Sequence, residues 1–150
     1  MVMWDIVSKP SKFLEYFKIY VEKDLGDYEG WWFNEGLRIS ESVDRLGTPH
    51  LRMFDRFGNR IDEILYPKEY WDMLYRGYKI GVVADPIQSK NLSRFFKIGY
   101  ITSFFDPGLY CPYTVSLSTA IPIYKYASDE IREKYLKKMM EKDGEVWQGA

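Results

Sequence analysis

Two successive stretches, Ile87 to Phe105 and Pro112 to Tyr126, are each long enough for a helix of several turns, and the second is nearly uncharged. In the first, Leu92, Phe95, Phe96, Ile98, Ile101 and Phe104 fall all round a helix rather than along one stripe. In the second, Ser116-Leu117-Ser118-Thr119-Ala120-Ile121-Pro122-Ile123 is too apolar for a solvated helix and spaces its hydroxyls evenly. A helix that is apolar all round must be enclosed by neighbours, so these segments require a fold in which two central helices are wrapped by others. No stretch approaches the roughly 20 uninterrupted apolar residues that span a bilayer. The start Met1-Val2-Met3-Trp4-Asp5 lacks the basic residues and apolar run of a signal peptide. A cytoplasmic protein without membrane contact is the expectation.

Enclosing helices are readable on both sides. Pro10 suits a first helical turn after Ser8, and Phe13, Leu14, Phe17, Tyr20 and Val21 recur on one face, with Gly26 to end it. A second helix is predicted from an Asn34 N-cap through Leu37, Ile39, Val43 and Leu46, stopped by Gly47 and Pro49. Leu51 to Ile64 alternates apolar and polar side chains on either side of Gly58-Asn59, the pattern of a hairpin. An isolated ribbon is marginal, so it should lie on the helices or on a further part of the protein. Helical pattern resumes at Pro67 with Tyr70, Leu74 and Tyr78 and breaks across Gly81 to Pro86. Asp106-Pro107-Gly108 turns the chain between the central helices, and Pro122 should kink the second of them. Ser128 caps a last helix whose buried stripe is Ile131, Tyr135, Leu136 and Met139. The fold class is therefore all-α, a bundle of about six helices with a small extended hairpin.

Chemistry is narrowed by what is scarce. With a net charge of -1 the chain has no field to collect phosphate backbones, which disfavours nucleic acid as a partner. Cys111 is the only cysteine and His50 the only histidine, so no Cys/His metal site and no internal disulfide can be assembled. Cys111 has no neighbouring histidine to activate it and reads as an inert buried thiol. His50, next to Pro49, reads as a loop histidine. Arg52, Arg56 and Arg60 are interleaved with Asp55, Asp62 and Glu63, which makes a solvated face rather than a phosphate site. Trp31-Trp32-Phe33 is the densest aromatic cluster and is assigned to the core.

Tyr110-Cys111-Pro112-Tyr113-Thr114, the Pro122 kink, Ala127 to Leu136 and the closing Trp147-Gln148-Gly149-Ala150 together resemble the N-terminal helical domain of flavin-dependent acyl-CoA dehydrogenases. Gly47 to Glu63 followed by Tyr66-Pro67-Lys68-Glu69-Tyr70 is similar to a segment of the adaptive-response, AidB-like branch. The resemblance runs from about Gly47 to Ala150. It implies that Met1 to Ala150 is one domain of a larger protein, with a flavin-binding β-domain and a C-terminal helical domain beyond Ala150. It implies FAD in the full-length protein, bound between those further domains and not by this chain alone. It also implies α,β-dehydrogenation of an acyl-CoA thioester with a catalytic glutamate outside this chain, and a homo-oligomer. No catalytic residue is placed here. Tyr110, Cys111, Thr114 and Ser118 are implied on the pocket side of a helix that walls the acyl site. The bland reading is that the two hydroxyls bond back to main-chain carbonyls in a buried helix. DNA contact in that branch belongs to the C-terminal part. From a different class, the chain could be an autonomous helical interaction module without enzymatic activity.

Overall fold

The computed structural model describes residues 25–143. Three segments follow one another without a break, Gly26–Trp31, a π-helical turn Trp32–Gly36, and Leu37–Leu46, and together form α1. Gly26, expected to end the first helix, opens a helical segment instead, and that first helix from Pro10 lies outside the described residues. Asn34 is not an N-cap, because it sits inside the π turn. The reason is tertiary. Trp32 is fully buried and stacks on Phe105, ring centroids 5.5 Å apart and 6° from parallel, while Phe33 meets the same ring edge-on at 4.9 Å. Those contacts keep the backbone helical where a local signal would start it afresh. The aromatic cluster is core, as its composition suggested.

Strands β1, His50–Phe54, and β2, Arg60–Leu65, form an antiparallel ribbon in which Leu51 faces Ile64 and Arg52 faces Glu63. Arg52 and Glu63 are ion-paired across it, Arg60 Nε lies 2.7 Å from Asp62 Oδ2, and the Arg56 guanidinium lies 5.8 Å from the Phe57 ring centroid. The arginines are thus a solvated face. Asp55 organises the loop, its Oδ1 accepting from the Phe57 and Asn59 amides at 2.8 and 2.9 Å. Gly58 supplies the left-handed φ of 85° that the turn needs. His50 opens β1 rather than lying in a loop, and it is exposed. The ribbon is not buried on the helices. Leu51, Met53, Phe54, Phe57, Ile61 and Ile64 are all exposed.

Helix α2, Lys68–Lys79, is followed by a short α3, Ala84–Ser89, where the sequence pattern pointed to a break, and then by α4, Ser93–Phe105. The helix expected from Ile87 to Phe105 is thus divided, because Lys90 adopts a left-handed φ of 55° at the end of α3. An ion triad spans the division. Asp85 meets Arg94 Nε at 2.7 Å and Lys142 Nζ at 2.6 Å, fastening α3 to α4 and to the segment after the last helix.

Helix α5, Pro107–Tyr126, starts earlier than the expected Pro112 and continues through Pro112 and Pro122. Its start is set by Asp106, whose Oδ1 accepts from the Leu109 amide at 3.0 Å and whose Oδ2 accepts from Ser40 Oγ at 2.8 Å. Proline at the first helical position costs nothing there, since that amide would be unpaired anyway. The last helix, α6, joins Asp129–Ile131, a π turn Arg132–Leu136 and Lys137–Met139. Ser128 Oγ caps it by accepting from the Ile131 amide. Leu136 and Met139 are buried, but Ile131 is exposed and Tyr135 only half-buried, so the inward stripe is narrower than the periodicity implied.

The core beneath α5 is polar at chosen points, and its buried hydroxyls are bonded, while the Trp32 indole N–H is buried without a partner among the described residues. Tyr113 donates to the Leu74 carbonyl of α2 at 2.9 Å, lying so close to the backbone that a Cβ on Gly77 would stand 2.2 Å from its oxygen. Tyr78 Oη and Ser116 Oγ are 2.6 Å apart. The Thr102 hydroxyl donates to the Ile98 carbonyl at 2.9 Å, which leaves Tyr28 to donate to Thr102 Oγ1 at 2.8 Å. Burial pushes the Tyr78 phenol up to about 12 and raises Tyr28 and, still more, Tyr113.

Replacing Asp106 by alanine removes the cap and orphans the Ser40 hydroxyl. The expected loss is about 1–2 kcal/mol of unfolding free energy in urea, with Asp106→Asn losing less because it retains an acceptor for Leu109. Alkaline pH should unfold the domain through the tyrosines. Below the ordinary tyrosine value of about 10 the phenols are neutral in both states and their contribution is complete. Above it the unfolded chain releases protons that the folded chain retains, so stability falls from there towards pH of about 12. Phenolate absorbance followed alongside circular dichroism should show the last phenols ionising together with loss of helix; full ionisation of a still-folded domain would contradict this.

Candidate functional site

Helix α5 has two unlike sides. Leu109, Tyr113, Ser116, Leu117 and Ala120 point into the core, whereas Pro107, Cys111, Ser118 and Pro122 are exposed along the other side at intervals of four, seven and four residues. A surface helix ordinarily carries charge on its outer face. This one has none before Lys125, only short neutral side chains.

The four residues implied by the resemblance are separated by the geometry. Cys111 and Ser118 lie on the exposed stripe, and Thr114, half-buried, flanks them. Tyr110 turns towards α4, its ring 5.4 Å from that of Phe95 and pressed onto Gly99, where a Cβ would stand 2.1 Å away. The thiol of Cys111 is exposed, which corrects the expectation of inert burial. Because α5 begins at Pro107 rather than Pro112, Cys111 belongs to the helix and falls on its outer side.

The hydroxyls are committed locally. Thr114 Oγ1 donates to the Cys111 carbonyl at 2.7 Å and Ser118 Oγ to the Val115 carbonyl at 2.9 Å. Each therefore offers lone pairs outward, but no proton. Pro112 and Pro122 lack an N–H, so the Gly108 and Ser118 carbonyls have no amide four residues on to accept from. Both of those residues are exposed, and the face is rich in acceptors and poor in donors.

Tyr70, from α2, stands by the N-terminal end of this face. Desolvation raises its phenol, with smaller contributions from Tyr66, Asp106 and Cys111 beside it. Its ring is 4.9 Å from that of Tyr66. A cleft of about 780 Å³ between α1 and the start of α5 is lined by Ser40, Val43, Tyr70, Asp106 and Leu109 among others. Tyr70 was visible in the sequence only as a residue of a family-like segment and as part of a helical pattern; nothing local paired it with Cys111. Among the described residues no group of three or more His, Cys, Asp or Glu side chains is placed to hold a metal ion, and no helix is long and apolar enough to cross a membrane. The outer face of α5 carries no positive charge before Lys125 and its Thr114 and Ser118 protons are bound internally, so it offers little to a flavin pyrophosphate.

Residues 34–145 match the family model of the adaptive response protein AidB N-terminal domain. The chain belongs to that family. The match begins at Asn34, ahead of the segment from Gly47 that carried the resemblance, and so takes in most of α1, the ribbon and, among the described residues, helices α2 to α6. Membership makes the chain an acyl-CoA dehydrogenase-like N-terminal domain, and the mostly helical fold with a small antiparallel ribbon agrees with that. No curated protein and no solved structure matches it.

Exposure of Cys111 leads to a direct expectation. Iodoacetamide should alkylate the native domain at a rate close to that of the chain in denaturant, as followed by intact mass. Protection by two orders of magnitude or more, equivalent to about 2.7 kcal/mol of opening, would place the thiol inside.

Proposed function

We propose that this domain serves an FAD-dependent oxidoreductase that dehydrogenates an acyl-CoA thioester, and that the outer face of α5 forms one wall of its acyl pocket. The observation that carries the reading is the uncharged outer side of α5. Cys111, Thr114 and Ser118 present a smooth apolar-to-neutral surface on a helix whose inner side is anchored by Tyr113 and Leu117. Such a surface excludes water from an apolar chain laid on it without offering a competing donor. Tyr110 has a different part in this reading. Wedged on Gly99 and Phe95, it holds the angle between α4 and α5 and so positions the wall.

In this proposal FAD and the proton-abstracting glutamate belong to further β and C-terminal domains, and this chain contributes shape, not chemistry. Acyl-CoA binds across those domains, in a homo-oligomer of the cytoplasm. Family membership supports the class of enzyme; the face of α5 supports the role assigned to the chain. The exposed ribbon favours a second reading in which the domain is an interaction module, since Leu51, Met53 and Ile64 leave one side of the ribbon apolar and uncovered.

The two readings separate by purification of the native polypeptide from its source cells with an antibody to this domain. The enzyme reading expects a product much heavier than 17.9 kDa, yellow with bound flavin, in which an acyl-CoA slows alkylation of Cys111. A colourless product of 17.9 kDa, with Cys111 alkylated equally fast with and without acyl-CoA, overturns it in favour of the module.

A further inference from the structure

At the far end of α5 from Asp106, a second recess opens between that helix, α3 and the turn leading into α4. It has a volume of about 440 Å³, and its lining is dominated by Ile87, Leu92, Ile121 and Tyr124, with Lys90 and Lys125 as its only charged residues. Among the described residues neither lysine has an ion-pair partner, although Arg94, Arg132, Lys137 and Lys142 nearby in the fold all do. Lys90 holds its place through a left-handed backbone, φ 55° and ψ 31°, at the position after α3 where glycine or asparagine is usual. No acidic residue lines the recess.

Size and lining are those of a small-molecule site, in which apolar side chains supply contact area and a few polar groups orient the ligand. With two unpaired ammoniums and no carboxylate, the polar groups here select an anion. We propose that this recess binds a small amphipathic carboxylate, its apolar body against Ile87, Leu92, Ile121 and Tyr124 and its carboxylate against Lys90 and Lys125. The site is separate from the outer face of α5 at Cys111 to Ser118, and it does not depend on the dehydrogenase reading. The ammoniums are exposed, so each adds a modest, salt-screened attraction. Most of the affinity comes from the apolar lining, and the lysines set the preference for charge.

The probes are decanoate and, as an uncharged equivalent, decan-1-ol, titrated below their aggregation limits into the chain and followed by amide NMR shifts. Decanoate should perturb residues 86–92 and 121–125 and bind about tenfold more tightly than the alcohol at low salt. The Lys90→Gln/Lys125→Gln double variant should bring decanoate down to the affinity of the alcohol, leaving the alcohol and the melting temperature unchanged. Ile121→Trp, which fills the recess, should lose both ligands. Equal affinity for the two probes, an unchanged preference in the double variant, or perturbations confined to the Cys111 to Ser118 face or the ribbon would each overturn the proposal.

Discussion

Asp106 is the joint on which the two central helices turn. It is the only charged residue between Lys97 and Lys125, and both of its oxygens are committed, one to the Leu109 amide in the first turn of α5 and the other to Ser40 on α1. An isolated carboxylate at the edge of an apolar core would be costly to desolvate. Here the same burial strengthens its bonds, and the helix dipole adds to them. The angle at which α5 leaves α4, and therefore which of its residues look outward, is set from this side chain together with the packing of Tyr110 on Gly99 and the bond of Tyr113 to Leu74.

Once that angle is set, the buried hydroxyls of the core fall into reach of partners. Tyr113 finds the Leu74 carbonyl, Tyr78 finds Ser116, and Tyr28 finds Thr102. These bonds tie α1 to α4 and α2 to α5 across the centre of the bundle. Their raised phenols are the electrostatic signature of the same fact, since burial disfavours the charged form. Glycine at 77 and 99 is what lets Tyr113 and Tyr110 approach the neighbouring helices at all. The surface left over is an uncharged outer face on α5, an apolar side on the ribbon, and a lysine-edged recess at the end of α5.

Some of this was legible before the fold was known. Alternation around Gly58-Asn59 is a short-range pattern, and the ribbon appears where it predicts. Ser128 caps the last helix because the cap bond spans only three residues. The near lack of charge from Ile98 to Tyr124, broken only by Asp106, foretold two enclosed helices; each does bury one side, but α5 exposes Cys111, Ser118 and Pro122 and α4 exposes Phe96, so neither is enclosed all round. Other features were hidden by their range. Asn34 carries a good cap signal, but the Trp32 to Phe105 stack, 73 residues apart in sequence, overrides it. The turn at Lys90 has no glycine to announce it, and the bond that fastens the start of α5 to Ser40 spans 66 residues.

The same division applies to the candidate site. The sequence by itself determined the fold class, the family, and the identity of a small uncharged group of residues, Cys111, Thr114 and Ser118, because periodicity and motif are properties of neighbouring residues. Which side of the helix those residues occupy was decided only by tertiary structure. Cys111 reads as buried from its apolar surroundings and is exposed in the fold, while Tyr110 beside it turns inward on Gly99. Helical periodicity states that residues share a face; it does not state which way the face points. That orientation comes from the bonds Asp106 and Tyr113 make to segments about 40 to 65 residues away, where no local pattern reaches.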